Sequence, residues 1–208
     1  SRRRDLGAVE GAIGAMVGIQ LARAGHEVTF ICRGAQLAAA RERGFRLILD
    51  DGKNVELNPV DATDKIAGAG PQDLVILAMK AHQVAAVVPD LAALTQANTL
   101  FVTMQNGIPW WYFQKCPGPY EGQRIEAVDP GGLIEKGIEI DRVGGSVVYL
   151  ASEIEEPGVI RHVEGDRISF GELDGAESPR VQEIAKIFRE AGFKSRVLTD
   201  IRSEIWLK

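Results

Sequence analysis

The sequence predicts an α/β fold in which a doubly wound parallel sheet carries an antiparallel β extension. Apolar runs of strand length, such as residues 74–79 and 99–104, alternate with helical segments, and such runs are typical of parallel strands buried on both faces. From residue 144 onward, short β-rich runs at 144–151, 158–163 and 167–171 are separated by turn residues. This change of pattern predicts the antiparallel strands.

The first helical unit opens with glycines. Gly11, Gly14 and Gly18 begin an apolar helical segment that ends near Gly25, and a strand follows at residues 28–32. Glycine at a strand-to-helix turn lets a pyrophosphate approach backbone N–H groups and the positive end of the helix dipole. The pattern predicts the phosphate-binding half of a Rossmann unit. The alternative is that these glycines only allow close packing of helix on strand.

Arg33 closes the second strand, about 20 residues after the glycines, where the cofactor is selected. An acidic residue here accepts a hydrogen bond from a ribose 2′-OH, whereas an arginine pairs with a 2′-phosphate. The sequence therefore predicts NADP rather than NAD.

The glycine fingerprint is incomplete at its start. The pattern G-x-G-x-x-G needs glycine at position 9, where the chain has Val9, and we expect a valine side chain there to crowd the pyrophosphate turn and weaken cofactor binding. The preceding residues 1–8 are rich in arginine, so they predict a poor central strand.

The other predicted elements follow in chain order. They are a helix at 36–43 stopped by Gly44, a hairpin of 45–49 and 55–57, a helix from Gln83 to about Thr95 interrupted at Pro89, a short helix from Pro109 to Phe113, a helix from Ser178 to Ala191, a last strand at 194–198, and a helix from Ile201 to Lys208.

Three polar residues stand just beyond the ends of predicted parallel strands. They are Arg33, Lys80 and Asn106. Because a ligand of such a sheet lies beyond the carboxyl ends of the strands, we expect all three to line one rim. The alternative is that polar residues follow most strands because loops are polar.

Composition points to an ordinary globular chain and gives no sign of nucleic-acid or membrane binding. The chain has 208 residues, 45% of them hydrophobic, and a net charge of −5. Arg2 to Arg4 are expected to form a solvated terminus, and the two cysteines, Cys32 and Cys116, are expected to be reduced thiols. No metal-ligand spacing joins the three histidines, and the sequence shows neither a signal peptide nor a membrane-spanning run. We therefore expect a cytoplasmic protein without a metal site.

Taken together, these motifs resemble the ketopantoate reductase (2-dehydropantoate 2-reductase) family. The residues that carry the resemblance are Gly11-Ala12-Ile13-Gly14, Arg33-Gly34, Met79-Lys80-Ala81-His82-Gln83, Gln105-Asn106-Gly107, Asp129-Pro130-Gly131-Gly132 and Ile201-Arg202-Ser203-Glu204-Ile205-Trp206-Leu207-Lys208. They are spread over nearly the whole chain in the family's order.

The resemblance implies a reductase of a small keto acid. Family members reduce 2-dehydropantoate to pantoate with NADPH, on the route to pantothenate and coenzyme A. The resemblance assigns Lys208 as the proton donor, Asn106 as a residue that places nicotinamide and substrate, and Lys80 as a cofactor residue, with Gln83 as a weaker match on the cofactor rim. The turn residues that would bind the cofactor are Gly11, Ala12, Ile13 and Gly14.

The resemblance also implies the domain organisation. Residues 1–199 are expected to form the NADP-binding Rossmann-type domain, and residues 200–208 the first turns of an absent helical domain. The fragment alone is expected to turn over poorly, because half an active site does not preorganise a transition state. An apolar patch where that domain would dock predicts self-association, which allows a homo-oligomer.

Two other functions stay open at this point. A related enzyme could reduce a different 2-keto acid or ketone with the same lysine. The chain could also be a degenerate, non-catalytic module that only binds NADP or a protein partner, and Val9 favours that view. Without the resemblance, Lys208 would be taken as an ordinary exposed helix lysine.

Overall fold

The structure is a computed structural model that describes residues 4–9 and 11–208. The predicted solvated arginines Arg2 and Arg3 lie outside the described residues. The strands are β1 (Asp5–Val9), β2 (Glu27–Ile31), β3 (Phe45–Ile48), β4 (Asn54–Leu57), β5 (Asp61–Thr63), β6 (Leu74–Leu77), β7 (Leu100–Thr103), β8 (Val143–Glu156) and β9 (Val159–Gly171).

Helices connect and cover these strands. They are α1 (Ala12–Arg23), α2 (Gly34–Arg43), α3 (Ile66–Ala69), α4 (Ala81–Val87), α5 (Leu133–Gly137), α6 (Pro179–Glu190) and α7 (Ile201–Leu207), with 3-10 helices at Val88–Leu94, Pro130–Gly132 and Ile140–Arg142.

The strands form one nine-stranded sheet in the order β4-β3-β9-β8-β7-β6-β1-β2-β5. Neighbouring strands from β8 through β7, β6, β1 and β2 to β5 pair in parallel, whereas β8 pairs antiparallel with β9, and β3 with β4. Both halves of the predicted fold class are therefore confirmed. The three predicted β-rich runs after residue 143 merge into the two long strands β8 and β9.

The parallel strands carry apolar side chains on both faces of the sheet. In β6, Leu74 and Ile76 belong to one core cluster, while Val75 and Leu77 belong to the other. Helix α1 fills the first cluster and packs against β1 and β2 and also against β8. Burial of both faces explains why these strands are apolar without alternation.

The expectation of a poor first strand is wrong. β1 lies in the middle of the sheet, between β2 and β6, and its residues Leu6 to Val9 are buried. Four small or apolar residues suffice here because the two neighbouring strands supply the hydrogen-bonding partners, and this tertiary context outweighs the polar residues that precede Leu6.

Two other predictions are wrong. Residues 110–115 form turns rather than a helix, with the Tyr112 N–H donating to the Pro109 carbonyl at 3.1 Å, because the side chains of Trp110 and Trp111 are buried in the core. The expected strand at 194–198 makes only isolated bridges from Lys194 and Val197 to β9. The sequence also missed β5 and α3, which lie in a stretch rich in Asp and Gly.

Most helix boundaries are confirmed. α2, the β3–β4 hairpin, α6 and α7 lie where the sequence predicts them. Pro89 stands in the first turn of the 3-10 helix that directly follows α4, and the Ser178 hydroxyl accepts from the Val181 N–H to cap α6.

Candidate active site

The residues predicted to line one rim lie along one edge of the sheet. Asn106 follows β7, Lys80 follows β6, Gly11 follows β1, and Arg33 follows β2. These four strands are consecutive neighbours in the sheet and run in parallel, so their carboxyl ends meet at the same edge. The structure therefore places a glycine turn, two cationic residues and an amide along one continuous rim.

The glycine turn has a shape that only glycine fits. Gly11 has φ +103°, and a Cβ atom there would lie 2.7 Å from the Ala78 carbonyl oxygen. Among the described residues, no side chain caps this end of α1 and none of its first-turn residues is acidic. The N–H groups of Ala12, Ile13 and Gly14 stand at this open end, which suits an anion such as a pyrophosphate.

Gly14 and Gly18 also support the packing alternative. A Cβ atom at Gly14 would lie 2.9 Å from the Ala78 Cβ, and one at Gly18 would lie 2.5 Å from the Phe30 ring. Close approach of α1 to the sheet therefore needs both glycines, with or without a ligand. Gly11 is the position that serves the turn itself.

Val9 lies in the core. It is the last residue of β1, is only 1% exposed, and belongs to the same apolar cluster as Ile31 and Leu77. The structure thus gives Val9 a packing role, and its effect on cofactor binding stays a prediction.

Arg33 immediately precedes α2 and its side chain is exposed. The tip of the β8–β9 hairpin rests against the same helix, since the Gly158 N–H donates to Gln36 Oε1 at 2.9 Å. Arg33 lies on the rim at the end of β2, and its pairing with a 2′-phosphate stays a prediction.

Gln83 has a local structural role. Its side-chain Oε1 accepts from the Lys80 N–H at 3.1 Å, which closes the first turn of α4. Lys80 itself is exposed at the start of this helix. Direct contact of Gln83 with a cofactor stays a prediction.

A cleft of about 330 Å³ adjoins the rim next to β7. Its polar lining comes from Thr103, Gln105, Asn106, Ser146 and Lys208. Although 102 positions separate them in the chain, Lys208 Nζ donates to Asn106 Oδ1 at 2.6 Å. The structure therefore brings together the two residues to which the family resemblance assigns the catalytic roles.

The environment of Lys208 alters its acidity. The residue as a whole is exposed at the end of α7, but its ammonium reaches the cleft. Partial burial there lowers the pKa of Lys208 below that of a free lysine, because a charged ammonium loses hydration. The ammonium is therefore a stronger acid than an exposed one.

Two side-chain hydrogen bonds, one of them buried, fix the walls of the cleft. Gln105 Nε2 donates to the Met79 carbonyl at 2.8 Å and so ties the loop after β7 to the loop after β6. Ser146 Oγ donates to the Thr103 carbonyl at 2.7 Å, which joins β8 to β7. Sequence reasoning missed both contacts. For Gln105, the sequence signal was its position next to Asn106. For Ser146, no sequence signal indicated a role in the site.

Arg202 anchors α7, the helix that carries Lys208. Its guanidinium donates to three carbonyls, those of Tyr112 at 2.6 Å, Gln114 at 2.6 Å and Leu173 at 2.5 Å. The Trp206 indole N–H also donates to the Tyr112 hydroxyl. The buried aromatic segment at 110–113 thus supports α7, a role that its sequence did not reveal.

Apolar side chains are exposed beside the cleft. Trp206 is 71% exposed and Leu207 is 80% exposed, both at the end of α7. This is the kind of apolar surface that the sequence predicted near the end of the chain. Self-association through it stays a prediction.

The described residues contain neither a candidate metal site nor a candidate membrane span. Within residues 4–9 and 11–208, no group of three or more His, Cys, Asp and Glu side chains is placed to hold a metal ion. In the same part of the chain, no helix combines the length and the apolar character needed to cross a bilayer.

The parallel sheet, the glycine turn at its carboxyl edge and the adjoining cleft define an α/β protein of the Rossmann class. A family model described as ketopantoate reductase PanE/ApbA matches residues 7–109. The 2-dehydropantoate 2-reductase of Mesorhizobium japonicum is 48% identical over 199 residues, which are 95% of this chain and 60% of that relative. The enzyme of the same name from Pyrococcus horikoshii is 29% identical over 198 residues, 95% of this chain and 57% of the relative. The chain belongs to the ketopantoate reductase family, as its motifs predicted.

Solved structures agree with this assignment. The crystal structure of a candidate ketopantoate reductase from Ralstonia solanacearum MolK2 superposes with a TM-score of 0.93 at 40% identity, over 99% of this chain and 64% of the other. A D-mandelate dehydrogenase in complex with NADH and anilino(oxo)acetate has a TM-score of 0.78 at 20% identity, over 97% and 58%, and shows a shared fold alone. The chain spans about 60% of the length of the curated relatives that it matches.

Proposed function

We propose that this chain is the cofactor-binding part of an NADPH-dependent reductase that converts 2-dehydropantoate to pantoate. The observation that carries the proposal is the contact between Lys208 and Asn106, 2.6 Å long, in a cleft next to β7 at the same edge of the sheet as the glycine turn. Two relatives named 2-dehydropantoate 2-reductase support the choice of substrate. In this proposal, residues 1–199 form the cofactor domain and residues 200–208 begin a second, helical domain.

The residues present fit a dinucleotide phosphate. Gly11 leaves a cradle that a Cβ atom would close, and the N-terminus of α1 offers unpaired backbone N–H groups to a pyrophosphate. Arg33 would pair with a 2′-phosphate, and Lys80 would bind the phosphate side of the nicotinamide half. When bound, NADPH supplies the hydride that the ketone receives.

Lys208 would complete the reduction as an acid. Hydride addition to the carbonyl carbon moves the C=O π electrons to oxygen and leaves an alkoxide. The Lys208 ammonium polarises the carbonyl beforehand, then gives the alkoxide a proton and becomes a neutral amine that solvent reprotonates. The lowered pKa of Lys208 favours this transfer, and Asn106 holds the ammonium toward the rim where the cofactor binds.

A calorimetric titration of the 208-residue chain with NADPH and then with NADH tests the cofactor part. Saturable binding that prefers NADPH supports the site and the role of Arg33. If neither cofactor binds, the result favours the alternative that the chain is a degenerate, non-catalytic module. The same titration on Val9→Gly then shows whether the valine prevents cofactor binding.

Steady-state rates test the substrate part. We would measure them in the whole protein that carries this sequence, with 2-dehydropantoate and a panel of other 2-keto acids. Preference for 2-dehydropantoate supports the proposal. A higher kcat/KM for another keto acid would change the proposed substrate but leave the proposed type of reaction unchanged.

A further inference from the structure

The antiparallel extension of the sheet faces the helix that carries Lys208. Tyr149 of β8 and Arg167 of β9 are direct partners in the strand register. The Arg167 guanidinium carbon lies 3.9 Å from the centroid of the Tyr149 ring, and Lys208 Nζ lies 5.6 Å from the same centroid. One aromatic ring therefore has two cations close to it.

The same strand pair holds the turn of α7 that precedes Lys208. The Tyr149 hydroxyl donates to the backbone carbonyl of Glu204 at 3.4 Å, and burial raises the pKa of this hydroxyl, so it stays protonated and able to donate. The Glu204 carboxylate is 3.7 Å from Arg167 Nη2 and 3.6 Å from Arg196 Nη2. The Glu204 side chain is only 14% exposed, whereas those of Arg167 and Arg196 are 41% and 58% exposed, so water partly screens these ion pairs. Glu204 stands one helical turn before Lys208.

We propose that Tyr149 is a positioning residue for Lys208: its ring screens the ammonium from water and its hydroxyl holds the α7 turn that directs the ammonium to Asn106. This inference rests on the proposed function for its catalytic meaning. The 5.6 Å separation is near the outer limit of about 6 Å for a cation–π contact, so the direct attraction between ring and ammonium is weak. The charged groups that face this region are Arg167, Arg196 and Glu204.

The first test follows the titration of Lys208 by NMR in the 208-residue chain with ¹³C-labelled lysine, the Lys208 signal being identified by its loss in Lys208→Arg. In Tyr149→Ala, water reaches the ammonium, and we expect the pKa of Lys208 to rise toward that of an exposed lysine. Tyr149→Phe keeps the ring and should keep most of the lowered pKa. The control is Tyr120→Ala, which removes a tyrosine that is 58% exposed and should leave the Lys208 titration unchanged.

A Lys208 titration in Tyr149→Ala that matches the parent chain would overturn the proposal, as would equal shifts in Tyr149→Ala and Tyr120→Ala. If Tyr149→Ala fails to fold, Tyr149→Thr takes its place, because threonine suits a strand and also lacks the ring. The Lys208 titrations of these variants need no substrate.

The second test uses turnover in the whole protein that carries this sequence. Tyr149→Ala should lower kcat by about 10- to 100-fold, since small misplacement of a catalytic group has effects of this size, and should leave the Kd for NADPH within about twofold. A loss of NADPH affinity with unchanged kcat would overturn the inference. Failure of every keto acid to react would instead contradict the proposed function, while the NMR titration would still decide the role of Tyr149.

Discussion

Replacement of Arg202 by alanine should release α7 from the rest of the protein. The guanidinium donates to the carbonyls of Tyr112, Gln114 and Leu173. A hydrogen bond from a charged donor contributes about 1.5–3 kcal/mol. Three such bonds give an upper bound of several kcal/mol. Because the Arg202 side chain is only partly buried, we expect the alanine variant to weaken the docking of α7 by about 3 kcal/mol.

The size of the loss depends on how α7 unfolds. The helix is seven residues long, too short to be stable without its packing, so it can open locally while the sheet stays folded. The urea transition then reports unfolding of the sheet and not the docking of α7, whereas hydrogen exchange of the α7 amides reports the local opening of the helix. We expect exchange of the α7 amides in Arg202→Ala to accelerate by about 100-fold, which corresponds to about 3 kcal/mol.

Two matched variants control the Arg202 experiment. Arg202→Lys keeps the charge but lacks the fork of donors, so it should recover only a part of the lost protection. Arg23→Ala removes an exposed helix arginine bonded to Gln20, and should change the free energy of unfolding by less than about 0.5 kcal/mol. Equal exchange of the α7 amides in Arg202→Ala and Arg23→Ala would refute the view that Arg202 anchors the helix.

Three more predictions concern the cofactor site and the core. Arg33→Ala should weaken NADPH binding far more than NADH binding, because a charge-assisted contact to the 2′-phosphate is lost; calorimetry showing equal losses would make Arg33 structural. Lys208→Ala should lower kcat by orders of magnitude in the whole protein and leave cofactor affinity nearly intact, and unchanged turnover would remove Lys208 as the proton donor. Val9→Gly removes a buried side chain and should cost about 2–3 kcal/mol in urea unfolding, against about 1 kcal/mol for Val163→Gly at an exposed position of β9; equal costs would contradict the packing role of Val9.

The rim of the site could be predicted from the sequence because it follows from local signals. Apolar runs locate the parallel strands, and the residue after each run is carried to the carboxyl edge of the sheet whatever the rest of the chain does. The positions of Arg33, Lys80 and Asn106 on the rim could therefore be predicted without knowing any distant contact. The resemblance to a family then added Lys208, which no local pattern distinguishes from other helix lysines.

The parts that failed depend on tertiary packing. The segment from Pro109 to Phe113 begins like a helix, but burial of Trp110 and Trp111 in the core favours turns. The arginines before Leu6 predict a poor first strand, but pairing with β6 and β2 makes β1 a central strand of the sheet. The contacts of Arg202 with residues 112, 114 and 173 span up to 90 positions, and no periodicity in the sequence encodes them.

The antiparallel extension adds to the parallel sheet a second surface that supports the helix carrying Lys208. The carboxyl edge of parallel strands provides loops and helix N-termini, which bind a phosphate but do not hold a cation at a fixed distance from it. In this chain, β8 continues the sheet from β7 and then pairs with β9, so that Tyr149 and Arg167 reach α7 from a surface that is rigidly joined to the rim. Asn106 approaches Lys208 from the parallel part, and the β8–β9 pair supports the helix turn before Lys208 from the antiparallel part. Slight movement between these two parts would separate Nζ from Oδ1, so the joined sheet itself sets the geometry on which the proposed proton transfer depends.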